Sequence, residues 1–184
     1  MLRRLSALLA LLLPPVFLPP SALAFSEDVP FVVTPDNVTL EMLKLANVGP
    51  QDYLIDLGSG DGRIVIVAAK RFGARGLGVE IVPDLVKKSR ESASLAGVAD
   101  RAEFREQDLF ATDLSKATVV TLYLLPEVNL QLAPRLQKLK PGTRIVSHDW
   151  DMGDWKPDRT IEVDAPDKTI GREKKSRIHL WVVR

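Results

Sequence analysis

The sequence predicts an α/β fold: a doubly wound, seven-stranded and mostly parallel sheet that ends in a C-terminal antiparallel hairpin. Short apolar or β-branched runs alternate with segments whose apolar residues recur at helical spacing. The last two apolar runs have no helical segment between them, which predicts a hairpin rather than a parallel crossover. The first apolar run of the series leads directly into a glycine-rich turn, which reads Gly58-Ser59-Gly60-Asp61-Gly62.

The first 24 residues have the pattern of a secretory signal peptide. Two arginines precede the apolar run Leu5 to Leu13, and a small-residue cleavage pattern ends at Ala24. Pro14-Pro15 interrupts the run well before the roughly 20 apolar residues that span a membrane. We therefore expect cleavage after residues 1–24, one domain over residues 25–184 without a stable membrane span, and a periplasmic or secreted location. An uncleaved membrane anchor and a mitochondrial location are the alternatives.

Composition argues against several classes of function. The chain has 25 Lys and Arg against 24 Asp and Glu, and removal of Arg3 and Arg4 leaves 23 bases, hence a formal charge of −1. We therefore expect no nucleic-acid partner, because a bulk basic field is missing. The chain has no cysteine, and its two histidines lack the spacing of metal ligands, so we expect no metal. The sequence gives no indication of the oligomeric state.

The first helix is predicted to begin at Thr34-Pro35. Threonine is a good N-cap residue, and proline is favoured at the first helical position. The apolar residues Val38 and Met42 share one face of a helix that would run to about Ala46.

The stretch Tyr53 to Glu80 predicts a β-α-β unit. Its first strand leads through the glycine-rich turn into a helix from Arg63 to Phe72, which Gly73 ends, and Gly76 to Val79 forms the second strand. In such units ligands bind at the carboxyl ends of the strands, near the helix N-terminus. An acid at the end of the second strand, here Glu80, is placed to bind a ribose.

The rest of the chain continues the alternation. The predicted elements are a helix from Pro83 to Ala96, a third strand from Ala102 towards Asp108, a fourth strand from Thr118 to Leu125, a helix from Val128 to Leu139, a fifth strand from Thr143 to Ser147, and a terminal strand pair, Arg159 to Val163 and His179 to Val183. The charged connection between the last two strands is predicted to be a solvated loop.

The run from Asp56 to Gly62, with Glu80, Asp108 and the closing hairpin, resembles the class I (seven-strand) S-adenosylmethionine-dependent methyltransferases. The resemblance covers residues 31–184 and implies their Rossmann-like fold. The segment Pro30 to Pro35, ahead of the glycine-rich turn, is similar to the small mitochondrial protein-lysine methyltransferases of the ATP synthase c subunit and the adenine nucleotide translocase. Val33 stands where that family tends to have proline. The resemblance implies S-adenosyl-L-methionine as cofactor and a protein lysine as methyl acceptor.

Class membership also implies roles for the residues of the cofactor site. Asp56 would lie near the amino group of the cofactor, Glu80 would accept hydrogen bonds from both ribose hydroxyls, Asp108 would read the adenine amino group, and Leu109 would be its apolar neighbour. For Asp108 a cap of a turn or helix is the alternative. The glycine-rich loop would pack against the methionine part of the cofactor through Gly58, Ser59, Gly60, Asp61 and Gly62.

Two segments, which we call the acceptor edge, are predicted to lie over the transferred methyl group: Tyr123 to Glu127 and His148 to Asp151. Acids interleaved with tryptophans suit a cationic substrate, although tryptophans that cover the sheet edge and acids that face solvent explain the pattern equally. A lysine amine must lose its proton before it attacks, and His148 is a candidate proton acceptor. The candidate catalytic residues are Tyr123, Glu127, His148, Asp149 and Trp150.

Three alternatives remain in view. A nicotinamide dinucleotide enzyme also ends its β-α-β unit in a ribose-binding acid, but its fingerprint, started from Gly58, requires a glycine where this chain has Arg63. The second alternative is a small-molecule methyltransferase. The third is a non-catalytic S-adenosylmethionine-binding module of the cell envelope, suggested by the signal peptide, since the methyl donor is made in the cytosol.

Overall fold

The computed structural model describes residues 32–169, 171 and 173–184. The predicted signal peptide lies outside these residues. Within the described part, none of the helices combines the length and the apolar character needed to cross a bilayer.

All predicted strands and helices are present, and α2 has the predicted bounds. The helices are α1 (Asp36–Leu45), α2 (Arg63–Phe72), α3 (Pro83–Leu95) and α4 (Pro126–Leu136), with one 3-10 turn at Leu109–Ala111. The strands are β1 (Tyr53–Leu57), β2 (Arg75–Glu80), β3 (Ala102–Glu106), β4 (Val119–Leu122), β5 (Arg144–His148), β6 (Arg159–Asp164) and β7 (Lys175–Val182).

The sheet has seven strands in the order β3-β2-β1-β4-β5-β7-β6, which confirms the predicted fold class. Strands β1 to β5 are parallel, and β7 runs antiparallel to both β5 and β6. The strand order reverses between β1 and β4. In open α/β sheets ligands bind at this switch point, outside the carboxyl ends of the strands, where the glycine-rich loop follows β1.

Alternating residues of each strand pack against helices on the two faces of the sheet. Leu54, Val119 and Val146 contribute to a core with α1, α2 and α3. Ile55 and Val120 contribute to a second core with α4 on the other face. The helices therefore cover both faces, as the continuous apolar strands of a parallel sheet require.

Several predicted boundaries differ from the structure, and proline explains two of them. Helix α1 begins at Asp36, since Pro35 has an extended backbone (ψ 147°) and is itself the N-cap residue, so Thr34 does not cap the helix. Strand β4 ends at Leu122 instead of Leu125, and α4 begins at Pro126, which takes the favoured first helical position. The other differences include β7, which begins at Lys175 instead of His179, and α4, which ends at Leu136 instead of Leu139.

Gly62 lies at a point of close packing that only glycine fits. Its φ is +79°, and an added Cβ would come within 2.6 Å of the Phe104 ring and 2.8 Å of Ser89. Gly97 has a similar φ of +71°, but an added Cβ there would have nothing within 4 Å. The two glycines therefore separate the cost of backbone conformation from the cost of overpacking.

Gly62→Ala is expected to lower the free energy of unfolding by roughly 2–5 kcal/mol, because the left-handed backbone and the overpacking both contribute. Gly97→Ala should cost only about 1–2 kcal/mol, from the backbone alone. Urea unfolding of both variants measures the difference. Equal losses would show that the contacts of Gly62 with Phe104 and Ser89 do not restrict this position.

Candidate active site

The glycine-rich loop is a left-handed turn fastened to the end of β2. Gly58, Gly60 and Gly62 have φ values of +73°, +52° and +79°, a region that side chains with a Cβ rarely occupy. The amides of Gly58 and Ser59 both donate to the carbonyl oxygen of Val79, at 3.0 and 2.9 Å. Gly62 then occupies the N-cap position of α2. The loop therefore has a fixed backbone shape at the switch point of the sheet.

Glu80 is held against this loop by three backbone amides. One carboxylate oxygen accepts from the amide of Gly60 at 2.9 Å, and the other from Ile81 and Val82 at 2.8 and 3.0 Å. A carboxylate has about four acceptor sites, so it can still accept from an added donor. The carboxylate thus lies fixed at the strand end where the sequence predicts a ribose-binding acid.

Asp56 is a buried carboxyl, 2% exposed, on the same face of β1 as the core residue Leu54. Its register partner on β4 is Thr121, whose hydroxyl donates to it at 2.6 Å. Burial, opposed by this hydrogen bond and assisted by the negative charges of Glu80 and Asp61, raises the pKa of Asp56 to about 7. A cation brought close to Asp56 would favour its ionised form. The predicted neighbour is such a cation, the amino group of the cofactor.

The structure pairs Asp61 with Arg63, a contact the sequence did not reveal. The guanidinium of Arg63 donates to both carboxylate oxygens of Asp61, from Nη2 at 2.7 Å and Nε at 3.0 Å. Burial opposes the ionisation of Asp61, but the hydrogen bonds and charge of Arg63 more than offset it, so the pKa of Asp61 lies below its ordinary value. Asp61 therefore stabilises the loop through Arg63, whichever contact it makes with a ligand.

Asp108 has the geometry of a cap residue, the alternative to its predicted contact with adenine. Its carboxylate accepts from the amide of Phe110 at 2.8 Å and caps the 3-10 turn that begins at Leu109. The side chain is exposed, and Leu109 is half-buried. A contact with adenine remains a prediction for both residues.

Tyr123 and His148 meet at the acceptor edge, where β4 and β5 end side by side. Their rings stack with centroids 3.9 Å apart. His148 is fully buried, and its two ring nitrogens lie 3.3 Å from the Thr34 hydroxyl and 2.8 Å from the Ser176 hydroxyl. Burial lowers the pKa of His148 to about 4, although the charge of Asp149 opposes this shift. These facts oppose the predicted role of His148 as proton acceptor: it is a weak base without a free nitrogen.

Asp149 is also occupied by protein contacts. Its φ is +64°, and its carboxylate accepts from the amide of Arg177 at 3.1 Å and pairs with Lys168 Nζ at 2.8 Å. Most described residues of the loop between β6 and β7 are exposed, as the sequence predicts, but the Lys168 side chain is only 13% exposed and packs against this site. Asp149 thus holds the hairpin against the end of β5.

Trp150 and Glu127 are the candidates that face solvent at this edge. Trp150 is 44% exposed, and within the described residues Glu127 has no ion-pair partner. Asp151 is also exposed, and among the described residues its carboxylate accepts a hydrogen bond only from the amide of Gly153, at 3.0 Å. Trp155, in contrast, packs against the buried Trp181 at 5.8 Å. Both predicted explanations of the acids and tryptophans therefore apply: Trp150 and Asp151 are exposed at the acceptor edge, whereas Trp155 packs against the protein.

The structure therefore gathers most of the predicted residues at one edge of the sheet, and it adds four that sequence reasoning missed. Only the pairing of Arg63 with Asp61 had a signal in the sequence, because the two residues are two positions apart and carry opposite charges. The other three residues contact partners that are distant in the chain: Thr34 and Ser176 contact His148 across 114 and 28 positions, and Lys168 contacts Asp149 across 19. The missed residues are Thr34, Arg63, Lys168 and Ser176.

These residues fit a nucleoside cofactor with a cationic amino acid part. The loop turns sharply at the switch point of the sheet through glycines with positive φ, Glu80 is a fixed acceptor at the second strand end, and Asp56 is a buried acid whose ionisation a cation would favour. Fold and site together are those of an S-adenosylmethionine-dependent methyltransferase.

Comparison with known proteins identifies the family. The model of the ANTKMT methyltransferase domain matches residues 56–159. A protein-lysine N-methyltransferase from Saccharolobus islandicus (strain REY15A) is 42% identical over 144 residues, which cover 77% of this chain and 89% of that relative. The adenine nucleotide translocase lysine N-methyltransferase of Mus musculus is 35% identical over 132 residues, 71% of this chain; the match spans only 57% of the mouse protein.

A solved structure gives the same result. The crystal structure of an RNA methyltransferase from Salinibacter ruber in complex with S-adenosyl-L-homocysteine superimposes with a TM-score of 0.76 at 55% sequence identity, covering 83% of this chain and 94% of that one. This chain belongs to the ANTKMT methyltransferase domain family. It is an S-adenosylmethionine-dependent methyltransferase, which confirms the resemblance and the cofactor predicted from its sequence.

The raised pKa of Asp56 makes stability depend on pH. A carboxyl whose pKa rises from 3.8 to about 7 on folding stabilises the protein fully below pH 3.8, and this contribution is lost as pH rises towards 7. Asp56→Asn removes the titration. Without cofactor, the variant should therefore gain stability relative to wild type by roughly 2–3 kcal/mol between about pH 5 and pH 8. Urea unfolding at both pH values measures this change, and a difference independent of pH would contradict the raised pKa.

Proposed function

We propose that this protein transfers methyl groups from S-adenosylmethionine to the side-chain amine of a lysine in a protein substrate. The observation that carries the proposal is the similarity to the Saccharolobus protein-lysine N-methyltransferase, which extends over 144 residues and 89% of that relative. The family model, which matches residues 56–159, spans both the cofactor loop and the acceptor edge. The mouse relative is also named for a lysine of a protein.

The charge of the acceptor edge supports a cationic substrate. Glu127 and Asp151 are exposed carboxylates without an ion-pair partner among the described residues, and Trp150 offers an exposed aromatic surface next to Asp151 in the chain. Carboxylates attract a lysine-containing peptide, and an aromatic face binds cationic groups. The same charges oppose the phosphates of a nucleic acid.

The chemistry assigns simple tasks to this chain. When bound, S-adenosylmethionine supplies a methyl group on a positively charged sulfur, and positioning of the amine then contributes most of the rate. Burial, with the charge of Asp149, raises the pKa of Tyr123 to about 12, so its hydroxyl stays neutral and can hydrogen-bond the amine without removing a proton. His148 is a weak base and Asp149 is paired with Lys168. We infer that the lysine loses its proton to solvent, and that Tyr123 orients the free amine.

RNA methylation is the second candidate function. It is favoured by one observation, the 55% identity to the Salinibacter protein described as an RNA methyltransferase. The acidic acceptor edge favours the lysine substrate instead. Small-molecule methylation and cofactor binding without catalysis are further outcomes that one experiment can separate.

Purified protein is incubated with S-adenosylmethionine labelled in the methyl group and with an extract of the source organism. Label is expected in macromolecules that protease degrades and ribonuclease does not, and mass spectrometry should locate it on lysine. Glu80→Ala should lower the transfer at least about tenfold by weakening cofactor binding, whereas Glu91→Ala, an exposed glutamate on α3, should leave it unchanged.

Each other outcome of this experiment supports a different function. Label that ribonuclease releases would replace the lysine proposal with RNA methylation, and label confined to small molecules would replace it with small-molecule methylation. Cofactor binding without any transfer would favour the non-catalytic module.

We further propose that residues 25–184 act outside the cytoplasm after removal of the signal peptide. The support is the N-terminal pattern of two arginines, an apolar run and a small-residue cleavage site. Intact-mass analysis of the protein from fractionated cells should find a chain that begins at Phe25 in the periplasmic or secreted fraction. A chain that begins at Met1 in the cytosolic fraction would contradict this location.

A further inference from the structure

Arg63 connects the cofactor loop to the segment that precedes α1. Its Nε and Nη2 donate to the two carboxylate oxygens of Asp61, inside the glycine-rich loop. Its Nη1 donates to the backbone carbonyl of Thr34 at 3.0 Å and also reaches the carboxylate of Asp36 at 3.2 Å. Because Arg63 is the first residue of α2, its backbone moves with the loop.

Thr34 continues this connection to the acceptor edge. It is 4% exposed, and its hydroxyl lies 3.3 Å from Nδ1 of His148. The other side of that imidazole is fixed by Ser176 at 2.8 Å, and its face stacks on Tyr123. One line of direct contacts therefore leads from the loop to Tyr123, a candidate catalytic residue of the acceptor edge.

Each contact along this line restricts direction as well as distance. The planar guanidinium binds the Asp61 carboxylate in two places, so Arg63 cannot rotate without breaking a charge-assisted bond. The hydroxyl of Thr34 is buried beside a buried imidazole, so loss of their contact would leave polar atoms unpaired. A shift of the loop is therefore transmitted to Thr34 instead of being absorbed by loose side chains.

We propose that Arg63 and Thr34 are positioning residues that couple the cofactor loop to the His148–Tyr123 pair. Occupation of the loop fixes Arg63, Arg63 fixes the carbonyl of Thr34, and the Thr34 hydroxyl fixes the imidazole against which the Tyr123 ring stacks. The inference rests on the proposed function. It implies that Thr34, just before α1, helps to orient the residues that bind the methyl acceptor.

The chain has only two histidines, which makes the coupling measurable without a known substrate. The protein, residues 25–184 without a histidine tag, is produced with ¹⁵N- and ¹³C-labelled histidine. NMR spectra of the imidazole groups are then recorded during titration with S-adenosyl-L-homocysteine. His179 serves as internal reference, because it bonds to Thr160 at 2.9 Å and, in the described part of the chain, makes no hydrogen bond to Arg63 or Thr34, although it is the register partner of Ser147. In wild type we expect the His148 signals to shift as the loop fills, and those of His179 to shift much less.

Two variants break the connection at different contacts. Thr34→Val removes the hydroxyl while keeping the carbonyl, and Arg63→Lys keeps the charge but not the planar fork. In both, the response of His148 should be largely lost, while the dissociation constant for S-adenosyl-L-homocysteine measured by calorimetry changes less than about tenfold. Thr160→Val is the matched control: it removes the same kind of contact from His179 and should leave the His148 response intact.

The outcomes are distinct. A His148 response of wild-type size in Thr34→Val and Arg63→Lys would overturn the proposal, and so would its absence in a wild-type protein that binds the probe. His179 signals at the same positions in a variant as in the wild type show that the variant is folded. Loss of structure is then not mistaken for loss of coupling. Failure of wild type to bind the probe at all would contradict the cofactor assignment and the proposed function instead.

Discussion

The shape of the site depends on the two hydrogen bonds by which the amides of Gly58 and Ser59 share the carbonyl oxygen of Val79. These bonds fold the chain back over the end of β2 directly after β1, which forces left-handed backbone angles and therefore glycine. They also bring the amide of Gly60 to the carboxylate of Glu80. One local constraint thus brings the N-terminus of α2, the glycine-rich loop and the acid at the second strand end together at the switch point of the sheet.

Negative charge is distributed unequally around this loop. Asp61 is neutralised by Arg63, Glu80 is supported by backbone amides, and Asp56 is buried with only the hydroxyl of Thr121 as partner. The site is therefore ready to gain a cation near Asp56 and hydrogen-bond donors at Glu80. Its chemistry is that of binding and positioning, since the residues where β4 and β5 end are a neutral tyrosine, a weakly basic imidazole and a carboxylate paired with Lys168.

Much of the fold could be predicted because local patterns determine it. Glycines, strand-end acids and helical spacing within the stretch Tyr53 to Glu80 specify the β-α-β unit without reference to distant residues. The contacts of His148 could not be predicted in this way. A histidine next to acids and tryptophans in the sequence suggests a base, but its ring nitrogens contact Thr34 and Ser176, which are distant in the chain. The same holds for Asp149, whose partner Lys168 comes from a loop without periodicity. Such long-range side-chain pairs are properties of the packed sheet edge, not of any segment.

We expect the glycine-rich loop and its neighbouring acids to hold S-adenosylmethionine at the switch point of the sheet. The most direct measurement is a crystal structure of residues 25–184 with S-adenosyl-L-homocysteine bound. We expect the ribose hydroxyls to be hydrogen-bonded to the carboxylate of Glu80 and the amino group to lie beside Asp56. A ligand bound elsewhere, or with its ribose away from Glu80, would contradict this account of the site.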